Sequence, residues 1–277
     1  MIKRRYYSSR KGTLGKDSKI NFEELKELFL ISYKMLDEGG YFQKYFGIDC
    51  IDGYREGELG NYIAEYIFMN LRRRGLYPVY ANLVDYTEDD LFDMIEFLHD
   101  HCSKGIDGHY HSYGNCGTHY NEFNDLEGQK KFRESMNPIL QDYQNGFEIS
   151  EQGEILILSD SGLSNLFDAN IPTLDKENVS DRIDSAILKF RRHKATLDDR
   201  KEAVRELADV LEFLRPEIKK CLNRKDENDL FNIANNFGIR HHNEKQQTDY
   251  DKAIWYSYMF YHYLATLHAV LRMTKKL

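Results

Sequence analysis

Apolar positions recur at helical spacing along most of the chain. Leu25, Leu28, Phe29, Ile31 and Tyr33 predict an amphipathic helix over 23–35, stopped by Glu38-Gly39-Gly40. Ile63, Ile67 and Leu71 predict a second over 59–74, with Gly75 as its C-cap and Arg72, Arg73 and Arg74 in its last turn. Residues 77–84 read as a strand. Thr87 and Asp90 then form a capping box for an apolar helix over 91–99. The stretch 103–125, rich in Gly, His, Tyr and Asn, has no sustained period and reads as a loop. Helical spacing returns over 130–144, and the alternation over 147–158 predicts a small β-hairpin.

The second half is more regular. A helix over 180–193 carries Ile183, Ile187 and Phe190; a second starts after Thr196, whose partner Asp199 completes a capping box, and Pro216 kinks or ends it. A third covers 226–239. The last, over 251–272, is apolar or aromatic almost all round, as in a helix buried by its neighbours. The prediction is therefore a mainly α protein in two units. Residues 1–158 form a mixed helical unit with one hairpin, 159–178 a connector and 179–277 a four-helix bundle, with no internal repeat.

Composition narrows the classes. With 277 residues, 41% hydrophobic and 30% charged, the chain has enough apolar surface for two cores. The basic start lacks a following apolar stretch, so neither a secretory signal nor a membrane anchor is expected, and the cytoplasm is the expected location. Cys50, Cys102, Cys116 and Cys221 form no CxxC pair and read as reduced thiols. A net charge of −8 argues against a globally basic nucleic-acid binder. Three local basic groups remain: Lys3, Arg4, Arg5, Arg10 and Lys11; Arg72 to Arg74; and Lys189, Arg191, Arg192, His193 and Lys194. Each is either a solvated helix end or tail, or a surface that follows phosphates.

Two places concentrate chemistry. The first is Arg240-His241-His242, between the third and last helices of the bundle. A guanidinium that holds phosphate, next to an imidazole that exchanges protons near neutral pH, suits metal-free RNA cleavage; the competing reading is a helix cap. Arg240, His241 and His242 are the candidate catalytic residues. The second place is His101, Cys102, His109, His111, Cys116 and His119. These residue types suit tetrahedral zinc, but their spacing follows no standard zinc pattern, and turn hydrogen bonds are the competing reading. Cys116 with His111 or His119 also has the makings of a nucleophile and base. No metal or cofactor is assigned.

The Arg-containing junction, followed by a long last helix ending Leu264-Ala-Thr-Leu-His268-Ala-Val-Leu271, resembles the HEPN domains of bacterial abortive-infection proteins. The segments 90–97, 132–135 and 153–157 resemble the region that precedes HEPN in some of those chains. The resemblance implies a defence-type protein that binds and cleaves RNA without metal, as a homodimer with a composite site; no membrane partner is expected, because the last helix is too polar and Tyr-rich to span a bilayer. HEPN nucleases carry a His four to six residues after the Arg, and this chain has Glu244, Lys245 and Gln246 there. Only Arg240 carries over by position, with His241 or His242 substituting. That departure also fits a non-catalytic dimerisation or docking scaffold.

Overall fold

The fold was read from a computed structural model that describes residues 7, 19–113, 116–158, 163–167, 169–173, 175–236, 239 and 250–274. The chain divides into two compact units, Met1–Leu156 and Ile157–Leu277. Helices dominate both, and the described strands form only two-stranded antiparallel sheets.

The first unit begins with α1 (Phe22–Glu38). The Asn21 side chain accepts from the Glu24 amide, and the Glu24 carboxylate accepts from the Asn21 amide. Leu25, Phe29, Tyr33 and Leu36 form its buried stripe. After α2 (Gln43–Phe46) comes α3 (Ile63–Leu71), which stops earlier than its periodicity suggests. Arg72 adopts the left-handed conformation at the C-cap (φ 57°), so the three arginines lie at or beyond the helix end rather than in its last turn.

The strand expected over 77–84 is absent. Pro78 instead caps α4 (Val79–Asn82), which runs into a 3-10 turn at Leu83–Asp85. Burial of Val79 and Leu83 against the core overrides their local strand preference. The Thr87–Asp90 capping box starts α5 (Glu88–Asp100), which buries Leu91, Met94, Ile95 and Leu98 completely or nearly so.

The stretch 103–125 is not an irregular loop. It forms β1 (Lys104–Gly105), β2 (Gly108–His111), β3 (Gly117–Tyr120) and β4 (Phe123–Asn124), with β2 paired to β3 and β1 to β4. Asn124 then caps α6 (Asp125–Leu140), whose Phe132, Met136 and Leu140 are buried. The expected hairpin over 147–158 forms as β5 (Phe147–Ile149) and β6 (Ile155–Ile157).

The second unit contains α7 (Ser164–Phe167), a π-helical turn at Lys176–Ser180, α8 (Asp181–Arg191), α9 (Leu197–Phe213), α10 (Arg215–Cys221), α11 (Arg224–Asn236) and α12 (Lys252–Thr274). Thr196 and Asp199 form the expected capping box. The helix breaks at Leu214, and Pro216 sits in the first turn of α10, where its missing N–H costs nothing. Val204, Leu207 and Leu211 of α9 share one core with Met259, Phe260, Leu264 and Leu267 of α12. Phe190 of α8 stacks on Phe260 with ring centroids 3.9 Å apart. α12 is not buried all round: Ile254, Tyr258, Ala265 and Ala269 are exposed. Among the described residues, no helix is long and apolar enough to cross a membrane.

Candidate metal centre

Four side chains with soft or borderline donor atoms converge in the first unit. Cys50, His111, Cys116 and His119 each bring one donor atom, and these atoms all lie within 4.8 Å of one another.

Backbone geometry accounts for the convergence. Cys50 opens a tight turn in which the Gly53 amide donates to the Cys50 carbonyl (2.9 Å); Ile48 and Arg55 close that turn with reciprocal 2.9 Å bonds. The base of the loop is crowded. A Cβ on Gly57 would lie 2.4 Å from the Gly47 nitrogen and the Tyr45 carbonyl oxygen, so only glycine permits this approach. The other three residues come from the β2–β3 hairpin, whose register pairs His109 with His119 and His111 with Gly117. Side chains alternate across a strand, so all three histidines share one face. Gly117, at φ +84°, makes the left-handed step that returns the chain from Cys116 into β3.

Cys50, His111 and Cys116 bring their donor atoms closest together. Cys116 Sγ lies 3.3 Å from His111 Nδ1 and 3.5 Å from Cys50 Sγ, and Cys50 Sγ lies 3.4 Å from His111 Nδ1. Tetrahedral zinc, with bonds of about 2.3 Å to sulfur and about 2.0 Å to nitrogen, separates its ligand atoms by roughly 3.3–3.8 Å. The three measured edges agree with that to within about 0.3 Å. His119 is the enclosed corner. It is only 7% exposed, and its Nε2 has no hydrogen-bond partner among the described residues. Such a buried, unsatisfied nitrogen calls for an explanation, and a cation supplies one. Asp52, from the same turn as Cys50, sets a carboxylate oxygen 3.6 Å from His111 Nε2. That places it where a metal-binding imidazole commonly finds an outer carboxylate that orients the ring.

Electrostatics point the same way. Desolvation, with the neighbouring charges of His111, His109 and Arg55, lowers the His119 pKa and favours the neutral ring that binds metal. The backbone hydrogen bond at Asp52 lowers the Cys50 pKa, but desolvation and the Cys116 sulfur outweigh it and leave the thiol above its ordinary value. A divalent cation bound there would reverse that balance and hold both sulfurs as thiolates.

The structure separates the expected candidates. His111, Cys116 and His119 come together, whereas His109 is exposed and stays outside the group. His101 stacks on Phe97 at 4.1 Å and donates through Nδ1 to the Phe97 carbonyl at 2.7 Å. Cys102 is fully buried, donates to the Gly128 carbonyl at 3.3 Å, and has its thiol pushed up to about 12 by burial. Neither belongs to the cluster. Cys50 joins it from 61 positions before His111. The Cys116–His111 distance also suits a thiol activated by a base. The second sulfur at a similar distance from the same nitrogen favours one shared cation instead.

No family model, curated protein or solved structure matches this chain. Arg240, His241 and His242 lie outside the described residues, as do Lys3, Arg4, Arg5, Arg10 and Lys11. Several members of the other basic groups are engaged locally. Arg73 pairs with Asp90 at 2.8 Å and with Asp93 at 3.2 Å, Arg74 covers the Phe68 ring, and Lys189 pairs with Glu206 at 2.8 Å.

Proposed function

We propose that the first unit is a zinc module in which Cys50, His111, Cys116 and His119 hold one Zn²⁺ in a closed tetrahedral set. The observation that carries this reading is the convergence of the four donor atoms within 4.8 Å, with His119 buried and its Nε2 without a hydrogen-bond partner among the described residues. All four positions come from protein, so the ion has no open site for water and its role is structural. It ties the 47–57 turn to the β2–β3 hairpin. Neither segment has a substantial apolar core of its own: β2 and β3 bury only His119.

Metal analysis of protein purified without chelators or a histidine tag tests the proposal. About one zinc per chain is expected, with loss of most of it in Cys116→Ser and His119→Ala but not in His109→Ala. A native protein free of stoichiometric zinc that also fails to take up added zinc removes the reading.

For the whole chain we propose a defence-type HEPN-like protein that binds RNA through the second unit and cleaves it without metal, using Arg240 with His241 or His242 in a homodimer. What supports this is the sequence resemblance carried by Arg240 and the last-helix segment Leu264–Leu271. Binding assays with single-stranded and structured RNA, comparing the intact chain with Arg240→Ala, test it. Unchanged affinity and uncut RNA in both proteins favour the non-catalytic docking scaffold instead.

A further inference from the structure

Beside the metal centre the first unit has a cavity of about 490 Å³, within the range used by small-molecule sites. Its wall is unusual in charge. Asp37, Glu38 and Asp49 line it, and none of the described lining residues is Lys, Arg or His. The remaining wall is strongly aromatic, with Tyr33, Tyr54, Tyr77 and Tyr80 contributing. Tyr33 and Tyr80 lie 5.1 Å apart between ring centroids. A nearby cation, Lys34, sits 5.6 Å from the Tyr80 ring centroid but is not part of the wall.

Carboxylates beside π faces make a poor host for an anion and a good one for a cation, which gains from both Coulomb attraction and ring quadrupoles. The cavity is too large for a bare metal ion alone. Asp37 is partly withdrawn from water and accepts a hydrogen bond from the Tyr80 hydroxyl. Burial raises its pKa, as does Glu38, against the opposing effect of Tyr80. A carboxylate in that position is stabilised by a donor carrying positive charge, and its second oxygen offers further acceptor capacity. This favours a cation with N–H groups over a quaternary ammonium. From these features we infer that the cavity binds an organic cation of the alkylammonium or guanidinium class, with its charge near Asp37 and Asp49 and its carbon chain against the tyrosines.

This inference goes beyond the zinc reading but shares a wall with it. Cys116, Gly117 and Thr118 line the cavity, and Cys116 is also one of the four donors. Removal of the metal therefore loosens that wall and weakens binding.

Calorimetric titration of the full-length, metal-replete protein provides the test, with agmatine and putrescine as free cations and a short peptide containing one arginine as the polypeptide source. 1,4-Butanediol is the neutral control. Saturable binding of at least one cationic probe is expected, with none for the diol. Asp37→Asn and Asp49→Asn are each expected to weaken it about tenfold, as loss of a partly screened charge contact would. Asparagine preserves side-chain shape and still accepts from Tyr80, and an unchanged melting temperature and zinc content establish that each variant is folded. Binding confined to the peptide assigns the cation to a partner chain; binding of the free amines assigns it to a metabolite. Absence of saturable binding for all cationic probes at concentrations on the order of 10 mM overturns the inference. Equal binding by the diol, or by the doubly substituted protein, does the same. Carboxylate-dependent binding in a protein found to lack zinc leaves this inference standing while the metal reading fails.

Discussion

Replacing Cys50 with serine should destabilise the first unit far more than an ordinary surface substitution. A metal joining Cys50 to His111 closes a loop spanning 61 positions. Treated like a covalent cross-link, closing a loop of that length removes entropy from the unfolded chain equivalent to about 4 kcal/mol at 25 °C. In a unit of this size, each kcal/mol moves the melting temperature by about 2–4 °C, which sets an expected drop of about 8–16 °C. The figure is an upper value, because the three remaining donors still hold the hairpin and retain part of the ion's affinity. Differential scanning calorimetry of wild type and Cys50→Ser, each with and without a strong zinc chelator, measures it. Chelation should lower the wild-type transition by a similar or greater amount and move the Cys50→Ser transition by much less. Equal, small chelator effects in both proteins, or a Cys50→Ser transition at the wild-type temperature, would refute the cross-link reasoning.

Other substitutions probe different parts of the structure. Leu264→Ala, at a fully buried position of α12, should cost about 2–5 kcal/mol in urea unfolding of the second unit. Thr196→Ala removes the N-cap of α9 and should cost about 1 kcal/mol in the same assay. Partial burial raises the Asp90 carboxyl, but hydrogen bonds from Thr87 and the Arg73 guanidinium outweigh it and hold its pKa below the ordinary range. A depressed folded-state pKa adds stability above the unfolded value near 3.9 and loses it as pH falls through the folded value. The stability gap between wild type and Asp90→Asn, followed by denaturant titration, should therefore be full at pH 7 and shrink below about pH 4. Treatment with hydrogen peroxide should join Cys50 to Cys116, whose sulfurs are 3.5 Å apart, with loss of two mass units on intact-protein mass spectrometry; Cys102, buried and with a raised thiol pKa, should stay reduced.

Much of the helical framework was legible because its signals are local. Thr87 with Asp90 and Thr196 with Asp199 are three residues apart, and each pair fixes a helix start wherever the helix later packs. The break near Pro216 has the same local origin. The stretch 103–125 was not legible as strands, since its ladders are two to four residues long and carry His, Tyr and Gly in place of alternating apolar residues. Of the residues in β2 and β3 only His119 is buried, so the hairpin carries no apolar alternation to read. The site was half legible. His111, Cys116 and His119 are close in sequence, and their chemistry suggested zinc, but the choice among His101, Cys102 and His109 depends on hairpin register and on the exact end of α5. Cys50 gave no local signal at all, because it reaches the cluster only through the turn anchored by Gly47 and Gly57.

Zinc K-edge X-ray absorption on the purified protein tests the metal centre most directly. The expected first shell contains two sulfurs at about 2.3 Å and two imidazole nitrogens at about 2.0 Å, with one sulfur fewer in Cys50→Ser. A shell of oxygen and nitrogen alone, or a spectrum unchanged by that substitution, would contradict a centre built from Cys50, His111, Cys116 and His119.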